Sequence, residues 1–223
     1  MDVRRLGLVS YQEAWALQNR LADARRDGLA PDTLILLEHP HTYTIGRSGT
    51  RDHVFLTAAE LAARGITCLD VDRGGDVTYH GPGQLVGYPI VDLGTAPDVG
   101  RYLRTLEDCL IDTLADFGIA AGRLTGYTGV WIGDRKIAAI GVKISQGVTT
   151  HGFALNVTTD LSLFTHILPC GIADKGVTSM AVELGRAPAL PEVEDAVVAH
   201  FSNRFALPGM PAAHVALLVA AGG

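Results

Sequence analysis

The chain has 223 residues, of which 48% are hydrophobic, 19% are charged and 26 are glycine. That much apolar content excludes a chain disordered in its main state, and glycines without a three-residue period exclude collagen. A formal net charge of −6 argues against a nucleic-acid binder, which would carry a basic stripe.

The first residues lead into polar sequence and offer no apolar signal core. Ser10 followed by Glu13 forms a capping box, and Tyr11, Ala14, Leu17, Leu21 and Ala24 recur at helical spacing until Gly28. A buried strand follows over 33–38, with 41–45 as its expected partner. Thr57 and Glu60 open a short second helix that stops at Gly65, and 66–71 reads as a strand. The dense run from Arg73 to Gln84 reads as a loop leading into a strand over 85–93. Leu103, Leu106, Leu110, Leu114 and Phe117 mark a long amphipathic helix stopped by Gly118. A hairpin of 130–132 and 137–144, a strand over 151–157 and a last helix from Pro191 to Phe205 complete the pattern. Without regular βαβα alternation, this points to an α+β domain with a mixed, largely antiparallel sheet flanked by helices. One domain is expected over 1–207, followed by an apolar tail over 208–223 whose apolar part is too short to span a bilayer.

Three cysteines, Cys68, Cys109 and Cys170, form no Cys-x-x-Cys pair and no zinc-spaced cluster, so no metal is expected. A sparse, odd count fits a reducing cytoplasm. Cys68 and Cys109 fall in a strand and a helix and read as small buried hydrophobes. Cys170 stands in a loop between Pro169 and Gly171 and suits either packing or a nucleophile; as a nucleophile it needs a nearby cation to form the thiolate. Lysine is scarce, with Lys136, Lys143 and Lys175 against fifteen arginines. Strict alternation puts Lys136 and Ala138 on one strand face and Ile137 and Ala139 on the other. Lys136 is then either a hairpin-end lysine in water or a partly buried amine able to exchange protons. His80 and His151 read as hydrogen-bonded structural histidines. The glycine-rich run lacks the spacing of a P-loop or a dinucleotide fingerprint.

RGGDVTYHGPGQLVGYPI over 73–90, KIAAIGVK over 136–143, HGFALNV over 151–157 and PCGI over 169–172 occur in this order. Together they resemble the lipoyl(octanoyl) transferase family, over about residues 5–205. The resemblance implies the fold of biotin and lipoate protein ligases, Cys170 and Lys136 as catalytic residues, and no cofactor. It assigns substrate binding to Arg73, Gly74, Gly75, Asp76, Val77, Thr78, Tyr79 and His80, to Ala139, Ile140 and Gly141, and to Gly152, Phe153 and Ala154. Gly74, Gly75, Gly141 and Gly152 are expected to leave room for an eight-carbon chain. The implied donor is octanoyl-acyl carrier protein. The implied acceptors are lipoyl domains of 2-oxoacid dehydrogenase complexes and the glycine cleavage H protein. Two other readings stay open: an ATP-dependent lipoate or biotin ligase on the same fold, and a non-catalytic acyl-binding protein.

Overall fold

The computed structural model describes residues 1–168 and 175–205. In chain order it contains β1 (Asp2–Leu8), α1 (Tyr11–Arg26), β2 (Thr33–Glu38), β3 (Thr42–Ile45), α2 (Ala58–Ala63), β4 (Thr67–Asp70), β5 (Val77–His80) and β6 (Gln84–Ile90). Then follow α3 (Val99–Asp116), β7 (Gly122–Leu124), β8 (Tyr127–Ile132), β9 (Arg135–Ser145), β10 (Val148–Asn156), β11 (Gly176–Val177), α4 (Met180–Leu184) and α5 (Leu190–Arg204). The main sheet runs β1-β2-β6-β10-β9-β8-β7, antiparallel except for the β1–β2 pair, and β11 joins β9 in parallel. A second sheet has the order β4-β3-β5.

β2 reads TLILLE because both its faces are covered. Leu34 and Leu36 pack with α3 and α5, through Leu106, Leu110, Val197 and Phe201, while Ile35 and Leu37 pack with α1, through Tyr11, Ala14 and Leu21. Each fully buried aliphatic side chain contributes about 1.5–3 kcal/mol. The small sheet has its own core, in which Tyr43, Val77 and Tyr79 meet Leu61 and Phe164.

Local signals place the helices. The Ser10 hydroxyl caps α1, and Thr57 and Glu60 close a reciprocal capping box on α2. Asp98 caps α3, so that helix starts at Val99, one turn before its leucine stripe.

Two expectations are corrected. The strand at 41–45 does not pair with β2, because β1 and β6 already occupy both edges of β2; β3 pairs with β4 and β5 instead. The run from Arg73 to Gln84 is not loop throughout: Val77–His80 forms β5, in antiparallel register with β3. β1, β7, β11 and α4 lie outside the expected elements. Among the described residues no helix is long and apolar enough to cross a membrane.

Candidate functional site

Strands β5, β9 and β10 meet the 73–75 loop around a cavity of about 550 Å³. Arg73, Gly74, Gly75, Thr78, His80, Lys136, Ala139, Ile140, Gly141, Gly152, Phe153 and Ala154 line it. Val99 and Leu103 of α3 and the 126–128 turn add the remaining lining on that side.

Three of the residues expected to bind substrate between Arg73 and His80 do not line it. Asp76 turns to His53, at 2.6 Å from Nδ1, and accepts the Val77 N–H at 2.7 Å. Val77 and Tyr79 face the small-sheet core, because side chains alternate along β5 and only Thr78 and His80 face the cavity.

Arg73 is only 7% exposed. Its guanidinium donates to the carbonyls of Thr44 (2.7 Å), Asp76 (2.8 Å) and Gly74 (2.9 Å), and to Thr44 Oγ1 at 2.9 Å. The fork therefore stitches the 73–76 loop to β3, as a guanidinium with several fixed donors can. The Thr44 hydroxyl in turn donates to His80 Nε2 at 3.2 Å, and His80 Nδ1–H donates to Gln84 Oε1 at 2.9 Å. Burial, His39 and Arg73 hold the His80 pKa well below its ordinary value, so the ring is neutral with one donor and one acceptor, as its partners require. From Gln84 the chain runs through Asn156 Oδ1 (2.9 Å) to the Thr178 carbonyl (3.0 Å), and Thr178 N–H donates to the Lys136 carbonyl at 3.0 Å.

Lys136 reaches the cavity through a β-bulge. Val130 pairs with Ala138 and Trp131 with Lys136, so Ile137 is an extra residue in β9. Ile137 and Ala138 are both buried in the α3-side core, and Lys136 shares the cavity face with Ala139. This corrects strict alternation, which paired Lys136 with Ala138. The Lys136 ammonium stands over the Trp131 ring, 4.8 Å from its centroid.

Cys170 lies outside the described residues. The chain on either side is anchored. Leu168 N–H donates to the His53 carbonyl at 2.9 Å, and β11 pairs Gly176 with Arg135 and Val177 with Lys136. A small cavity of about 30 Å³ borders Lys136, Lys175 and Gly176 together with Thr78 and Ala139. Burial raises the thiol pKa of Cys68 and pushes that of Cys109 up to about 12, so neither is a ready thiolate at neutral pH.

Gly74, Gly75, Gly141 and Gly152 all line the cavity, and two of them also meet neighbouring backbone closely. A Cβ on Gly141 would lie 2.8 Å from the Gly74 carbonyl oxygen, and one on Gly152 would lie 2.2 Å from that of Gly87. They allow backbone to approach backbone and so shape the cavity walls.

A family model described as the lipoyl protein ligase A/B catalytic domain matches residues 10–202. An octanoyltransferase of Chloroflexus aggregans is 54% identical over 211 residues, covering 93% of this chain and 96% of that protein. The chain belongs to the octanoyltransferases of this family. Solved structures agree on the fold. A bipartite lipoate protein ligase from Thermoplasma acidophilum, described with its E2 lipoyl domain, matches with TM-score 0.66 at 19% identity, over 92% of this chain and 84% of that one. A biotin protein ligase from Aquifex aeolicus matches with TM-score 0.54 at 13% identity, over 92% of this chain and 69% of that one.

The substrate-binding residues that the resemblance implies do not account for the whole cavity of this octanoyltransferase. Tyr11, Tyr88 and His151 also line it. His151 Nε2–H donates to Asp72 Oδ1 at 2.7 Å, and Tyr11 O–H lies 3.2 Å from Nδ1. Lys143 holds the second Asp72 oxygen at 2.5 Å. His151 has φ +57, a strained value for a side chain of its size, and Gln18 pins its N–H at 2.7 Å. The sequence signals were the His151-Gly152 pair inside a strand and a tyrosine on the apolar face of α1.

Proposed function

We propose that this chain transfers an octanoyl group from octanoyl-acyl carrier protein to a lysine amine of lipoyl domains, through a thioester on Cys170. The observation that carries the reading is Lys136 at the edge of a largely apolar cavity, on the strand to which the Cys170 segment returns. In the first step the Cys170 thiolate attacks the donor thioester carbonyl. The new carbon–sulfur bond forms as the bond to the carrier thiol breaks, and the carrier leaves with a free thiol after taking a proton. In the second step the acceptor amine attacks the acyl-enzyme. A carbon–nitrogen bond forms, the Cys170 carbon–sulfur bond breaks, and the amine proton is lost. Lys136 serves both steps, favouring the thiolate as a nearby cation and then helping to carry the amine proton. Each methylene buried in the cavity contributes about 0.8 kcal/mol, enough to select an eight-carbon chain without charged contacts.

The proposed acceptors are lipoyl domains of 2-oxoacid dehydrogenase complexes and the glycine cleavage H protein. The T. acidophilum ligase described with an E2 lipoyl domain supports an acceptor of that kind. A nucleophilic thiol suits a reducing compartment, and the cytoplasm is the proposed one.

The test is intact mass after incubation with octanoyl-acyl carrier protein and no ATP. Wild type is expected to gain one octanoyl group, and Cys170→Ser none. Absolute dependence on ATP would move the chain to adenylate chemistry. Absence of any adduct on wild type would favour a non-catalytic acyl-binding protein.

A further inference from the structure

Helix α3 carries a carboxylate where its pattern calls for a hydrophobe. Glu107 lies among Leu103, Leu106 and Leu110, and its side chain is 0% exposed. A carboxylate is costly there unless it is paired. Its Oε2 accepts from Arg104 at 2.5 Å and from Arg123 Nε at 2.7 Å, and its Oε1 accepts the Gly129 N–H at 3.1 Å. Arg123 lies on β7 and Gly129 on β8, so one carboxylate ties the helix to both strands of a hairpin. A well-packed hydrophobe could hold the helix on the sheet as firmly. What the carboxylate adds is a fixed place for the Gly129 backbone.

Gly129 lies directly under the Lys136 stem. It has φ +124, and a Cβ there would stand 2.6 Å from the Ala138 carbonyl oxygen and 3.6 Å from Lys136 Cδ and Cε. Two residues further along β8, Trp131 carries the Lys136 ammonium over its ring. The same hairpin supplies Gly126, Tyr127 and Thr128 to the cavity lining.

We propose that Glu107 is a positioning residue, which fixes the Gly129 shelf and thereby sets where the Lys136 amine stands at the cavity. This rests on the reading of Lys136 as the catalytic amine.

The test uses the full chain with carbon-labelled lysine. Only three lysines are present, so the Hε signal of Lys136 is identified by its loss in Lys136→Ala. The ring current of Trp131 is expected to move that signal upfield in wild type. In Glu107→Gln it is expected to move toward the other two lysines, while kcat for octanoyl transfer falls about 10- to 100-fold and KM changes less than about threefold. A wild-type signal, or a wild-type kcat with a displaced signal, overturns the proposal. Full activity in Lys136→Ala overturns the catalytic reading of Lys136 instead, and the Glu107→Gln signal still reports on the shelf. If Glu107→Gln does not fold, Arg123→Gln loosens the same carboxylate from a half-exposed position. The same two readouts are then expected to move in the same direction, and wild-type values for both overturn the proposal.

Discussion

Gly87 on β6 stands directly opposite Phe153 on β10, and a Cβ on Gly87 would lie 2.1 Å from the Phe153 ring. Phe153 also lines the cavity, so this glycine shapes the cavity from a neighbouring strand. Gly87→Ala is expected to lose about 1–3 kcal/mol of stability through overpacking, and to lose octanoyl transfer as the ring shifts. Urea unfolding and acyl-adduct mass check the two effects. A wild-type urea midpoint would mean that the sheet opens there without cost.

Lys136→Ala is expected to lower kcat about 10²- to 10⁴-fold, the range for a positioned proton-transfer group. Lys136→Arg should remain nearly as slow, because a guanidinium keeps its charge but does not give up its proton. Steady-state transfer at saturating donor measures both. An active arginine variant would reduce the role of Lys136 to charge alone.

Removing the Arg73 fork leaves the Thr44 and Asp76 carbonyls without that donor. The Asp76 carbonyl keeps the Gly46 N–H at 3.1 Å, so Arg73→Gln is expected to lose about 1–3 kcal/mol, chiefly from the Thr44 acceptor. Arg73→Lys should recover only part of this, since one ammonium cannot reproduce the fork. Chemical denaturation of the three proteins gives the order.

Acid should unfold the chain through its buried histidines. Burial lowers the His39 pKa to about 4, against an ordinary 6.5, although its bond to the Val9 carbonyl favours the charged ring. His80 and His151 are shifted in the same direction, again by burial first. Between pH 6.5 and 4 the unfolded chain binds a proton that the folded His39 refuses. Stability is therefore full above pH 6.5 and falls as pH drops toward 4, by about 3 kcal/mol for this one ring. Urea midpoints between pH 7 and 4 test the slope. His39→Gln keeps a donor for Val9 and an acceptor for Tyr88 and should flatten the slope. An unchanged slope would remove His39 from the acid response.

Local chemistry made much of the fold legible. Ser10 and Thr57 announce their helices, the α3 stripe announces a buried face, and TLILLE announces a strand covered on both sides. What stayed hidden depends on distant partners. Nothing within residues 41–45 says that both edges of β2 are taken. The bulge at Ile137 arises from pairing with β8, so residue-by-residue alternation along β9 misplaces Ala138 and Ala139. Glu107 stands on the apolar stripe of α3, and its partners Arg123 and Gly129 come from 16 and 22 residues along the chain. The cavity segments were legible because long motifs mark them, with Tyr88 and His151 inside those motifs, whereas Tyr11 reaches the same cavity from a helix whose spacing reflects core packing.

The four residues Val77–His80 face two interiors by turns, with Val77 and Tyr79 in one core and Thr78 and His80 at the cavity. Substitution at any one of them is a local event. Adding or removing a single residue between Gly75 and Val77 would shift the parity of the whole strand. Tyr79 would then enter the cavity, and an imidazole would enter an apolar core. This stretch behaves like a reading frame: it tolerates changed letters, but a change of length scrambles both messages at once.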